Sequence, residues 1–106
     1  MLDEKRLTQL AEMEKILGES EDFFAQAENF LAQWQAFLPK LQQLENYYFD
    51  GDWREDVRAW ENGEIPENQP CGVLTEDAVF NASVANRELA TAFLQMVASV
   101  LATRES

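Results

Sequence analysis

The sequence predicts an all-α protein: two long antiparallel helices, the first kinked near Pro39, joined by a short helix and an extended linker in a homodimeric helical bundle. Three observations lead there. Apolar residues recur every seven positions through the first 48 residues. A second apolar stripe at helical spacing fills the last third of the chain. Between them lies a stretch rich in glycine, proline and capping residues, and no alternating pattern marks a strand.

The first helix is expected over residues 3–48. One row holds Leu10, Leu17, Phe24, Leu31 and Leu38, and a second holds Met13, Ser20, Ala27, Trp34, Leu41 and Tyr48. A third holds Ile16, Phe23, Phe30, Phe37 and Leu44. These are a, d and g positions, and together they make one wide apolar face. Gly18, followed by Ser20, Glu21 and Asp22, offers an alternative break and a new N-cap. Pro39 lacks the N–H of a helix interior and predicts a kink. The rows keep phase across both points, which favours one helix.

The short helix is expected over 52–61. Asp52 and Glu55 stand three apart as in a capping box, and Trp53, Val57 and Trp60 share a face. Asn62-Gly63 supplies the stop. Residues 62–74 read as an extended connection with turns at Pro66 and at Pro70-Cys71-Gly72. The last helix is expected over 75–103, with Thr75 as N-cap and Leu74 and Val79 as a hydrophobic staple. At about 1.5 Å per residue the first helix spans on the order of 65–70 Å and the last on the order of 40–45 Å. The shorter cannot cover the longer, so the excess face must be buried either by folding the first helix back at a break or by a second copy of the chain, and the homodimeric bundle is the preferred reading.

The 106 residues fit a single domain, 1–106, and 46% hydrophobic content argues for a folded chain over an acidic tail. Histidine is absent, so Ser-His-Asp and Cys-His catalysis are excluded within the chain. With one cysteine, Cys71, neither an internal disulfide nor a structural zinc site is expected. A net charge of −12 disfavours direct binding to nucleic acid or to anionic membranes. Short apolar runs exclude a membrane span, and the charged Met1-Leu2-Asp3-Glu4-Lys5 start points to the cytoplasm.

Residues 45–77 hold ten of the twenty carboxylates and only two bases, Arg54 and Arg58. They also carry Tyr47-Tyr48, Trp53 with Asp56, Gly63 with Pro66, and Gly72-Val73-Leu74-Thr75-Glu76-Asp77, followed in the last helix by Arg87-Glu88-Leu89. In that order these residues resemble the bacterial domain-of-unknown-function family 4298. The resemblance implies a small all-helical protein, with no established activity to carry over. Thr75 stands where the family has Ser, Phe49-Asp50-Gly51 where it more often has Gly-Ser, and Trp60 where an acidic residue is commoner.

The candidate partner-binding or linker-docking residues are therefore Tyr47, Tyr48, Trp53, Asp56, Trp60, Gly72, Asp77 and Arg87. Tyr and Trp join apolar area to a polar handle, which suits a contact surface, but plugging the end of the bundle and anchoring the linker is the preferred reading of them. Asp56, Asp77 and Arg87 are expected to form an ion-paired network tying the linker to the last helix. Asp50, Asp52 and Glu61 fall at the first, third and twelfth positions of an EF-hand loop, but Arg54 and Glu55 break that motif. The function expected is a non-catalytic interaction or scaffold role, with the contact surface on the aromatic and acidic linker face. The alternative is an acidic, nucleic-acid-mimicking inhibitor of a basic protein. A carboxylate metal-binding or catalytic site ranks behind both. The expected partners are a protein and a second copy of the chain; no cofactor and no metal are expected.

Overall fold

A computed structural model of the chain describes residues 1 to 103. It contains three helices: α1 (Glu4–Asp50), α2 (Trp53–Glu61) and α3 (Ala78–Thr103), with a 3₁₀ turn at Gly72–Leu74 before α3. No strand occurs among the described residues. The chain divides into two compact units, Met1–Leu38 and Pro39–Ser106.

The first unit is the N-terminal stretch of α1. Asp3 caps it: the Arg6 N–H donates to Asp3 Oδ1 at 2.8 Å, satisfying one of the donors a helix start leaves open. The helix passes through Gly18 without a break. Ser20, a candidate cap for a restart, instead donates its hydroxyl to the Ile16 carbonyl at 2.8 Å, which is how serine is accommodated inside a helix. Apart from the half-buried Trp34, the large side chains of the seven-residue rows are exposed from Leu10 to Leu38.

The second unit carries the core. Leu41 of α1, Leu74 of the 3₁₀ turn and Val79 of α3 are buried, Val79 most deeply at 2% exposure. Each such side chain contributes about 1.5–3 kcal/mol. Three of them make a small core, so polar and aromatic contacts around it carry weight. Pro39 lies inside α1, where it removes the bond that the Gln35 carbonyl would accept. α1 ends at Asp50, and the N–H of the next residue, Gly51, donates to the Tyr47 carbonyl at 3.2 Å. A Cβ at Gly51 would stand 2.9 Å from that same oxygen, so the turn into α2 needs glycine.

α2 starts one residue later than expected. Asp52 occupies its N-cap but makes no side-chain capping bond, so the capping box does not form. Its C-terminus is closed by a Schellman motif: Glu64 N–H donates to Ala59 O at 2.9 Å and Gly63 N–H to Trp60 O at 3.1 Å. Gly63 takes the left-handed conformation there, with φ of 71°. The turn at Pro66 is present, closed by the Gln69 N–H on the Pro66 carbonyl.

α3 begins at Ala78, three residues after the expected start. The reason is local. Thr75 turns its hydroxyl back onto the Gly72 carbonyl at 2.7 Å, closing the 3₁₀ turn instead of capping the helix. Leu74 and Val79, the expected staple pair, are nonetheless both in the core. No helix among the described residues is long and apolar enough to cross a membrane.

Candidate functional site

The conspicuous side chains of the linker converge within the second unit as a clasp. Tyr47, near the end of α1, donates its hydroxyl to Asp56 Oδ2 of α2 at 2.5 Å. Trp53, the first residue of α2, donates its indole N–H across the linker to the Val73 carbonyl at 2.9 Å. Tyr48 packs edge-on against Trp53, ring centres 4.7 Å apart, and against Phe49 at 4.9 Å. One carboxylate, one carbonyl and three aromatic rings thus bind α1, α2 and the 3₁₀ turn to each other.

Electrostatics agree with a closed clasp. The Tyr47 phenol is pushed up to about 12, first by burial, then by its bond to Asp56 and by the negative charge of Asp56 and Asp52. A phenol held protonated is a hydrogen-bond donor and a poor base or nucleophile at neutral pH. Beside it lies a pocket of about 160 Å³ lined by Tyr47, Asp56, Ile65, Gln69, Pro70, Cys71, Val73 and Leu74. The half-buried Cys71 thiol is turned onto the Gln69 carbonyl at 3.3 Å.

Of the eight candidate residues, four form the clasp: Tyr47, Tyr48, Trp53 and Asp56. Trp60 is 47% exposed. Gly72 supplies its carbonyl to Thr75, and a Cβ there would meet nothing within 4 Å, so space does not demand glycine. Asp77 begins α3 by accepting the Asn81 N–H on its backbone carbonyl. Arg87 lines a larger groove of about 450 Å³ between the last turns of α1 and the first half of α3, with Phe49 and Phe80 as its aromatic walls. The expected ion-paired network of Asp56, Asp77 and Arg87 is not formed among the described residues: Asp56 takes a phenol instead, and Asp77 and Arg87 lie exposed. Sequence reasoning also missed the Ser83 hydroxyl donating to Glu45 in that groove, a pair 38 residues apart with no local signal.

A family model described as Domain of unknown function (DUF4298) matches residues 10–96. The chain belongs to the DUF4298 family. Neither curated proteins nor solved structures provide a match. Six of the residues on which the DUF4298 resemblance rests have structural roles in this fold: Tyr47, Tyr48, Trp53 and Asp56 close the clasp, Gly63 ends α2, and Leu74 enters the core. Among the described residues no three Asp, Glu or Cys side chains converge in a way that could hold a metal ion, the carboxylates of the EF-hand-like stretch included. Alongside its exposed carboxylates, the chain carries many exposed large apolar side chains on α1 and α3.

Proposed function

We propose that the chain is a non-catalytic interaction protein whose contact surface is the apolar face of α1, the linker serving to fix the helices. One observation carries this. Eleven large apolar side chains between Leu7 and Leu38 are each 43–64% exposed. At roughly 100 Å² of side chain each, they leave on the order of 1,000 Å² of apolar surface in one stripe, well above what monomers usually expose and enough for one side of a standard interface. The linker aromatics, by contrast, spend most of their polar and stacking capacity inside the clasp. The partner fitting such a stripe is another helix with an apolar face.

The test is affinity capture from a native lysate with wild type, Phe24→Glu and Trp60→Ala. Capture lost in Phe24→Glu, kept in Trp60→Ala and insensitive to moderate salt supports the α1 face. Capture lost only in Trp60→Ala returns the contact to the linker. Capture that disappears in moderate salt indicates a charge-driven partner instead.

A further inference from the structure

Resting on that reading, we infer that the occupant of the α1 face is the same face of a second copy, running antiparallel and centred between Phe24 and Ala27. Size admits it: each copy offers a stripe comparable to the roughly 800 Å² per partner that stable pairs bury. A twofold contact also lets one patch cover itself, so no other component is needed.

Residue sizes set the direction. The a and d rows are uneven, with bulky Phe24 and Leu31 on one and small Ser20 and Ala27 on the other. Antiparallel copies place a against d, so Phe24 fills the space over Ala27 and Leu31 the space over Ser20. Parallel copies would set Phe24 against Phe24 and leave Ser20 and Ala27 as holes, and both faults destabilise packing. The flanks agree. Antiparallel pairing brings the phenylalanine row containing Phe23 against itself, whereas parallel pairing would lay Phe23 on Glu28. Leu41 is already buried in the second unit, which bounds the contact at its end.

Charge gives a signature. Antiparallel pairing leaves Glu21 near Glu28 at the solvent edge, and each chain carries −12. Apolar burial therefore acts against like-charge repulsion, and added salt should tighten the dimer. An acidic chain seated on a basic partner would loosen instead.

The experiment is sedimentation equilibrium of wild type and Phe24→Glu at low and moderate salt, with circular dichroism to confirm that both remain helical. In a Cys71→Ser background, chains carrying Ser20→Cys are then mixed with chains carrying Leu31→Cys and oxidised. The expected result is a wild-type dimer that tightens with salt, weakening about a hundredfold or more when a carboxylate is buried at Phe24. Disulfide should form between the two different cysteine chains and not between Ser20→Cys copies. A wild-type monomer at high concentration, a dimer indifferent to Phe24→Glu, or a Ser20→Cys self-crosslink would each overturn the inference. A monomer that still captures a partner through Phe24 overturns only the second copy; a monomer that captures nothing overturns the interaction role as well.

Discussion

Replacing Trp53 with Phe isolates one bond of the clasp. The ring is retained and can still meet Tyr48, but the indole N–H, 2.9 Å from the Val73 carbonyl, is gone. A neutral hydrogen bond is worth about 0.5–1.5 kcal/mol net, and a carbonyl left partly shielded from water adds a fraction of its desolvation cost. Val73 is half-buried, so water recovers some of that cost. The sum is about 1–2 kcal/mol. In a domain this small each kcal/mol moves the midpoint by roughly 4–8 °C, so Trp53→Phe should melt about 4–16 °C lower. Trp53→Ala also loses the edge-on ring pair, worth about 0.5–1.5 kcal/mol, and apolar area beyond it, for a total of about 3 kcal/mol. Thermal unfolding followed by circular dichroism at one fixed protein concentration reads both, since association shifts the midpoint with concentration. If Trp53→Phe melts within a degree of wild type, the indole does not hold the linker and the clasp is wrongly assigned.

Three other outcomes follow from single residues. Tyr47 holds its proton more tightly folded than unfolded, so its contribution is complete below about pH 10 and is lost as pH rises toward 12. In a Tyr48→Phe chain, tyrosinate absorbance should therefore titrate near 12, and Asp56→Asn should lower the midpoint; an ordinary midpoint near 10 with Asp56 present would refute the bond. Gly63→Ala forces a side chain into left-handed backbone at φ 71° and should cost about 1–2 kcal/mol in denaturant unfolding. Gly18→Ala sits inside α1 with no atom within 4 Å of the new Cβ, and should stabilise by about 0.5–1 kcal/mol in the same assay.

The helices were legible because their signal is periodic. A row such as Leu10, Leu17, Phe24 and Leu31 survives one glycine or proline, so α1 could be read through Gly18 and Pro39. The stop at Asn62-Gly63 was equally plain, since a left-handed position asks for glycine. Caps were less legible, because a hydroxyl can serve either neighbour: Thr75 serves the Gly72 carbonyl behind it and not the helix ahead. The site was legible as a set of residues and not as a set of bonds. Tyr47 and Asp56 were both singled out, but which donor Asp56 takes depends on the tight turn at Gly51 that brings α2 back beside α1. Glu45 and Ser83 meet only through the whole path of the linker, which no local pattern records.

Whether contact lies on α1 or on the linker is read most directly by amide hydrogen exchange on the intact chain at low and high concentration. Association through the α1 face predicts that exchange across residues 13 to 38 slows as concentration rises, while residues 45 to 79 stay as they were. Concentration-dependent protection confined to 45 to 79, or none anywhere, would contradict it.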